Sequence, residues 1–229
     1  MLEINKLITQ INYKPGNNRA IEYIVIHYVG ATGGAKDNCR YFEKEYREAS
    51  AHYFVGHQGE IWQCVEDKDI AWHCGAKTYR HPYCRNTNSI GIEMCCRQNL
   101  SNGTWYFEEE TVESTIKLVK ELMATYNIPV SNVIRHYDVM GKRCPEPYVR
   151  DTAAWNTFKS RLTTNVAPTG YIVRIIADVL NVRKGPGTGY GINTTVKKKE
   201  AYTIVAENNG WGKLKSGAGW IKLSYTERV

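Results

Sequence analysis

Histidine and cysteine stand in this sequence at a spacing that suits a metal site. His136 ends a short β-branched run that begins at Val133, and Cys144 follows eight positions later, after Gly141 and Lys142. Zinc binds thiolate sulfur and imidazole nitrogen together, and a catalytic zinc keeps three protein ligands with water in the fourth position. This segment therefore supplies two ligands and requires a third from elsewhere.

The best candidate for the third ligand is His27. The apolar run that begins at Tyr23 stops at this histidine, and Gly30 then breaks the chain. The run has the length and composition of a buried strand. Two strands that each end in histidine could present both imidazoles at one edge of a sheet.

A carboxylate stands inside another strand-like apolar run, Ser89–Cys96, at Glu93. Burying an unpaired charge is costly, so a carboxylate here needs a partner or a function. Beside a pocket, its surroundings could tune it for proton transfer. A structural salt bridge is the alternative.

Several segments have clear strand or helix patterns. Residues 53–56 and 61–65 read as paired strands around a turn at Gln58 and Gly59. Helices are predicted over residues 37–48, 109–127 and 152–162, and Pro129 stops the second of them. That second helix carries the apolar stripe Val112, Ile116, Val119, Met123 and Tyr126. Strands interleaved with helices predict an α/β fold with a mixed central sheet flanked by helices.

The composition and the predicted secondary structure of the chain change near residue 163. Residues 163–170 are polar with one proline, which predicts a linker between a first domain, residues 1–162, and a second, residues 171–229. The second part alternates short β-rich segments with turns such as Gly185-Pro186-Gly187. It is predicted to be a small all-β barrel.

Charge is distributed unevenly between the two parts. Residues 1–169 contain 20 Lys and Arg against 19 Asp and Glu, a net charge of +1, whereas residues 170–229 contain 10 against 4, a net charge of +6. The run Lys197–Lys199 is interpreted as a solvated turn that adds long-range attraction. A basic second domain suits a polyanionic partner such as nucleic acid, an anionic membrane surface or a cell-wall polymer.

The sequence also carries signals about compartment. We find no apolar run near the roughly 20 residues that a membrane span requires, and no signal-peptide pattern at the start, so synthesis in the cytoplasm is expected. The seven cysteines are an odd number without C-x-x-C spacing. Apart from Cys144 they are interpreted as buried free thiols.

Five motifs in the first domain resemble the zinc-dependent N-acetylmuramoyl-L-alanine amidases of phage endolysins, bacterial autolysins and peptidoglycan recognition proteins. They are residues 24–27, 50–55, 71–73 and 88–93, and the segment from His136 through Lys142 to Pro145. The second domain resembles a bacterial SH3-like wall-binding domain, through residues 180–187, 210–211 and 219–221.

The resemblance implies roles for individual residues. His27, His136 and Cys144 would bind one Zn²⁺ ion, and bound water could then reach a pKa of about 7. Glu93 would be the general base and Lys142 would stabilise the oxyanion. Some relatives carry a catalytic tyrosine where this chain has Ala51, so this sequence resembles the subgroup that relies on a glutamate.

Further residues match family positions that contact substrate or the wall. Substrate contact is expected for His52, Trp72, His73 and Asn88. In the second domain the aromatic residues Tyr190, Trp211 and Trp220 are candidates for wall binding. Aromatic residues in so small a barrel can instead form its core.

Three classes of function follow. The leading hypothesis is a peptidoglycan hydrolase that cleaves the amide between N-acetylmuramic acid and L-alanine. It would act on a Gram-positive wall as a phage endolysin or, alternatively, as a bacterial autolysin released by another route. The alternative is a non-catalytic peptidoglycan-binding module, since some relatives keep the fold and lose the zinc, but those relatives lack the cysteine that Cys144 supplies. A nucleic-acid-binding protein rests on the charge of the second domain alone, and no nucleic-acid motif supports it.

Overall fold

The chain divides into two units, residues 1–162 and residues 163–229. The computed structural model describes residues 2–163, 171–208 and 210–229. Of the predicted linker, residues 163–170, all but Thr163 lie outside the described residues. Thr163 itself is the last residue of a helix.

One mixed sheet organises the first unit. Its strands are β1 (Ile4–Lys6), β2 (Tyr23–Tyr28), β3 (Tyr53–Val55), β4 (Ile61–Gln63), β5 (Ser89–Met94) and, after the small β6 (Arg97–Gln98) and β7 (Trp105–Tyr106) ribbon, β8 (Val133–Arg135). The order is β1-β4-β3-β5-β2-β8. The β3–β4 pair is antiparallel, as predicted, and the other pairs of this sheet are parallel. The predicted fold class is confirmed.

Helices cover both faces of this sheet. They are α1 (Ala35–Lys44), α2 (Glu109–Tyr126), α3 (His136–Met140), α4 (Glu146–Arg150) and α5 (Thr152–Thr163), with short 3₁₀ helices at Asn86–Asn88 and Val130–Asn132. Helices α2 and α5 pack on one face with β2 and β5, and α1 packs on the other with β3. Because both faces are covered, almost every residue of β2 and β5 is buried, and their apolar residues do not alternate with polar ones.

The first helix is shorter than predicted. The pattern predicted residues 37–48, whereas α1 spans Ala35–Lys44 and Glu45 is already extended. The side-chain amide of Asn12 donates to the carbonyl of Glu45 at 2.6 Å and accepts from the amide of Arg47 at 2.8 Å. A side chain more than 30 positions upstream thus holds the chain in an extended turn after the helix.

The predicted apolar stripe of α2 is part of a wider buried face. Ile116 and Val119 are buried as predicted, and Leu118 and Leu122 are buried beside them. Thr111 and Thr115 are also fully buried, because their hydroxyls donate to the carbonyls of Gly56 and Thr111 at 2.8 and 2.7 Å. Satisfied hydroxyls allow threonine to take positions that a hydrophobic pattern assigns to solvent.

Helix α5 anchors its face of the core with an aromatic cluster. Phe158 is 1% exposed and stacks on Trp155 at a ring distance of 5.4 Å. The ring of Tyr148 lies 5.4 Å from Phe158 and 5.6 Å from Trp155, so the three rings contact one another. We expect Phe158→Ala to lower the free energy of unfolding by about 3–5 kcal/mol, because it leaves a cavity that the rings cannot fill. Urea unfolding measures the loss. Asn156→Ala on the exposed side of α5 is the control, and an equal effect of both variants would contradict this packing.

The second unit is one antiparallel sheet around a small core. Its strands are β9 (Tyr171–Ile175), β10 (Val179–Arg183), β11 (Ile192–Lys197), β12 (Ala201–Asn208), β13 (Trp211–Leu214), β14 (Trp220–Lys222) and β15 (Thr226–Arg228). Their order is β11-β10-β14-β13-β12-β9-β15, and a 3₁₀ helix covers Leu223–Tyr225. Val173, Val182 and Ile221 lie in the core. The predicted all-β class is confirmed.

Candidate functional site

Three chemically active side chains stand at one edge of the sheet of the first unit. His27 and Glu93 are directly paired in the register of the parallel strands β2 and β5. On the other side of β2, Ile26 pairs with Arg135, so His136 follows the end of β8 beside His27. Parallel strands bring their carboxyl ends to the same edge, which is where open α/β sheets bind ligands.

A tight loop brings Cys144 to the same point. Gly141 has φ of +83° and its amide donates to the carbonyl of Tyr137 at 2.8 Å, which ends α3. The amide of Tyr137 donates back to the carbonyl of Cys144 at 2.7 Å and closes the loop. One potential ligand atom from each of His27, His136 and Cys144 lies within 4.8 Å of the others, and all three residues are buried.

The cluster leaves polar atoms without partners inside the protein. Nδ1 of His136 and Oε2 of Glu93 are buried without a hydrogen bond. Nε2 of His136 is occupied, because it lies 2.9 Å from the sulfur of Met140. Buried polar atoms are normally paired, so these two atoms are available to a bound group. Two imidazoles and a thiol are the donor set that zinc prefers.

The histidines of the cluster are held neutral. Burial, with nearby His136 and His73, keeps the pKa of His27 well below its ordinary value. Burial lowers the pKa of His136 to about 3, with the Lys142 charge adding to the effect. Burial raises the pKa of the Cys144 thiol, and the Glu93 carboxylate adds to that shift. Neutral imidazoles are ready ligands, whereas the thiol must release its proton when it binds a metal.

Glu93 is the acid of this site. Its side chain is 21% exposed, and its Oε1 lies 3.8 Å from Nδ1 of His27. Burial raises its pKa to about 8, and the positive charge of Lys142 opposes that shift. A carboxyl group tuned toward neutral pH can both accept and return a proton.

His136 gives the metal-free protein a testable pH dependence. Between pH 6.5 and 3 the unfolded chain protonates this histidine and the folded chain does not, so acidification lowers the free energy of unfolding. Relative to His136→Gln, the wild type should lose about 1.4 kcal/mol between pH 7.5 and 5.5. Urea unfolding at both pH values measures this. Comparison with the variant is needed because Glu93 contributes with the opposite sign, and a constant difference would contradict the shifted pKa.

Lys142 is exposed and lies on the loop between α3 and Cys144. Its charge acts on His27, His136 and Glu93, lowering the pKa of each. The charge of the predicted lysine thus acts on the same three groups that the sequence pattern selected.

The predicted substrate contacts separate into two groups. His52 is completely buried; its Nδ1 accepts from the amide of Gly91 at 3.0 Å and its Nε2 lies 3.2 Å from the carbonyl of Asp69. Asn88 accepts from the amide of Arg85 at 2.8 Å and donates to Glu22 at 2.9 Å. These internal contacts occupy polar atoms of both side chains, and substrate contact by either residue stays a prediction. Trp72 is half-buried against Tyr46 and stays a candidate for substrate contact.

His73 is not aimed at open solvent either. It is 8% exposed, and its Nδ1 lies 3.0 Å from Nε2 of His27. Its Nε2 lies 3.1 Å from the hydroxyl of Ser89. His73 therefore contacts a candidate metal ligand, and its contact with substrate stays a prediction. Nothing in the sequence pointed to this, because the two histidines are 46 positions apart.

The second unit carries a cleft of about 370 Å³. Trp211 lines it as one of the predicted aromatic residues, together with Arg183, Lys222 and Tyr225. Tyr190 instead lies over Gly185, where an added Cβ would come within 2.4 Å of its ring. Trp220 lies on β14. Sequence reasoning missed Tyr225 and the two cations, which carry no aromatic or glycine motif of their own.

Within the part of the chain that the structure describes, every helix is too short or too polar to cross a membrane.

Comparisons with known proteins cover both units. A family model described as N-acetylmuramoyl-L-alanine amidase matches residues 17–147, and one described as bacterial SH3 domain matches residues 178–227. A probable N-acetylmuramoyl-L-alanine amidase of Bacillus licheniformis is 33% identical over 171 residues, which are 69% of this chain and 46% of that protein. The chain spans about half the length of the curated relatives it matches first.

Several solved structures are similar to the first unit. A mutant endolysin from Bacillus subtilis has a TM-score of 0.57 and 28% identity, over 71% of this chain and 99% of that one. The catalytic domain of XlyA has the same TM-score and identity, over 70% of this chain and 99% of that one. These structures extend the similarity from sequence motifs to the arrangement of the sheet and helices.

Proposed function

Since this chain belongs to the N-acetylmuramoyl-L-alanine amidase family, we propose that it hydrolyses the amide between N-acetylmuramic acid and L-alanine in bacterial peptidoglycan. The observation that carries the proposal is the convergence of His27, His136 and Cys144 beside Glu93 at one sheet edge. Hydrolysis of an amide needs an activated water, a proton carrier and a group that stabilises negative charge. The site offers candidates for each.

His27, His136 and Cys144 would hold one zinc ion. The orphaned Nδ1 of His136 and the neutral state of both imidazoles fit that ion. When bound there, zinc would lower the pKa of a water molecule and polarise the amide carbonyl.

Glu93 and Lys142 would then move the proton and stabilise the charge. Glu93 would accept the proton of the attacking water and return it to the nitrogen of the leaving L-alanine. Its position beside His27 supports this role. Lys142 is solvent-accessible and its field reaches Glu93, so it can face the negative charge that develops on the substrate oxygen. Trp72 would contact the glycan or peptide at the rim.

The experiment that tests this function measures which bond is cut. Purified Gram-positive walls are digested, and new L-alanine amino termini and new reducing sugar ends are quantified with and without a zinc chelator. We expect new alanine termini, no new reducing ends, and loss of activity with the chelator. New reducing ends would indicate a glycosidase, and wall binding without cleavage in added zinc would favour a non-catalytic recognition module.

We propose that residues 1–162 are the catalytic domain and residues 171–229 bind the wall. The net charge of +6 on residues 170–229 favours an anionic wall polymer, and the cleft of the second unit adds Trp211 and Tyr225 to the cations Arg183 and Lys222. The similarity to an endolysin supports the further proposal that the protein lyses a Gram-positive phage host, acting at the wall.

Wall binding through this cleft predicts a loss for Tyr225→Ala. Tyr225 is 47% exposed, so its removal should weaken binding to walls by about 2- to 12-fold without unfolding the unit.

Lys222→Ala should weaken binding more than Lys213→Ala, which removes the same charge from β13 outside this cleft. Pull-down with purified walls measures both effects. Equal losses for the two lysines would point to diffuse charge and against the cleft.

A further inference from the structure

We propose that His73 and Ser89 are positioning residues, which hold His27 as the tautomer with its proton on Nε2 and its Nδ1 lone pair facing the ligand cluster. The inference rests on the proposed role of His27 as a metal ligand and deepens it. Nδ1 of the His27 ring would bind the metal, and the two positioning residues would fix that choice. The carrying observation is an unbroken chain of short contacts that starts at a backbone carbonyl.

The carbonyl of Arg85 determines which atom donates and which accepts in each of these hydrogen bonds. This oxygen can only accept a hydrogen bond, and the Ser89 hydroxyl lies 2.6 Å from it. The single hydroxyl hydrogen therefore points at Arg85. Ser89 Oγ is left to accept from Nε2 of His73 at 3.1 Å, so His73 carries its proton on Nε2.

The tautomer of His73 determines the tautomer of His27. In the imidazole tautomer with its proton on Nε2, Nδ1 carries a lone pair, and Nδ1 of His73 lies 3.0 Å from Nε2 of His27, which therefore donates to it. His27 is consequently protonated on Nε2. Its unprotonated Nδ1 lies 3.8 Å from Sγ of Cys144 and 3.8 Å from Oε1 of Glu93. The reverse direction would set a lone pair of Ser89 against the Arg85 oxygen at 2.6 Å.

Close packing holds the imidazole rings of His27 and His73 in place. His27 is 1% exposed and Ser89 is fully buried. An added Cβ at Gly91 would come within 2.4 Å of Cγ of His73, so the ring occupies space that only glycine leaves open. The side chain of Asn86 accepts from the amides of His73 and Cys74 at 3.2 and 2.8 Å and holds the backbone beneath the ring.

The second nitrogen of a metal-bound histidine commonly donates to such a partner, and losing the partner costs about 10- to 100-fold in metal affinity. We expect Ser89→Ala and His73→Phe to weaken zinc binding by that factor. His73→Gln can still accept from His27 through its amide oxygen and should restore part of the affinity. Ser50→Ala is the matched control, because its buried hydroxyl accepts from the amide of Trp72 at 2.9 Å and has no contact with this chain of bonds.

Two measurements test the proposal without relying on hydrolysis. Competition with a chromophoric chelator gives the zinc affinity, and long-range ¹H–¹⁵N NMR of the metal-free protein gives the tautomer of His27. The wild type and Ser50→Ala should show the proton on Nε2, and Ser89→Ala should show a mixture. A proton on Nδ1 in the wild type, or unchanged zinc affinity in both Ser89→Ala and His73→Phe, would overturn the proposal. If walls are not cleaved at the sugar–alanine amide, the proposed function fails while these readouts still decide the tautomer.

Discussion

Replacing Cys144 by alanine should reduce the release of L-alanine termini from walls by on the order of 1,000-fold or more. The thiol is the one sulfur ligand of the cluster and lies 3.8 Å from Nδ1 of His27. Without it two imidazoles remain, which bind zinc weakly and do not close the site. Zinc content after dialysis and the rate of release of alanine termini measure the two losses separately.

Cys39→Ala is the matched control for Cys144→Ala. Cys39 is an equally buried thiol, in the apolar cluster that packs α1 on the sheet. Its removal should cost stability alone and leave zinc content unchanged. Retention of zinc and activity by Cys144→Ala would show that this cysteine is one more core thiol and that the metal site lies elsewhere.

Glu93→Gln should have the second largest effect, with opposite consequences for rate and stability. Loss of the proton carrier should lower the hydrolysis rate by about 100- to 10,000-fold while zinc stays bound. The metal-free variant should be more stable than the wild type above pH 4.5. In the wild type the raised pKa means that stability is lost as the pH rises from 4.5 through about 8, and glutamine removes that loss.

Rate assays at saturating zinc and urea unfolding of the metal-free proteins separate these two effects. The control is Glu121→Gln, at an exposed position of α2. The stability gain of Glu93→Gln over the wild type should grow between pH 5 and 8. If the variant is less stable than the wild type throughout this range, Glu93 serves as a structural ion-pair partner.

The core of the site could be predicted from the sequence because it depends on strand ends. His27 and His136 each follow an apolar run, and parallel neighbours bring such ends to one edge. Local pattern also identified Glu93, as a charge in an apolar strand. These predictions hold because strand pairing alone determines where the three residues lie, without help from contacts between distant side chains.

Contacts between distant segments are the features that the sequence did not indicate. His52 and Asn88 have the polar chemistry of substrate contacts, yet internal partners occupy their polar atoms. The end of α1 depends on Asn12, which precedes it by more than 20 residues. Strand β11 has one buried residue, Val196, and pairing with β10 defines it. The hydrophobic periodicity of a segment does not indicate which distant residues will contact it.

The placement of the thiols makes this protein convenient for chemical labelling. All seven cysteines are free and buried, and all lie in the first unit. A thiol-specific reagent should therefore react slowly with the native protein, and its reaction rate reports opening of the first unit alone. A cysteine introduced at exposed Ser216 would be the single fast-reacting site, which allows a dye or a surface to be attached to the second unit while the native thiols stay unmodified.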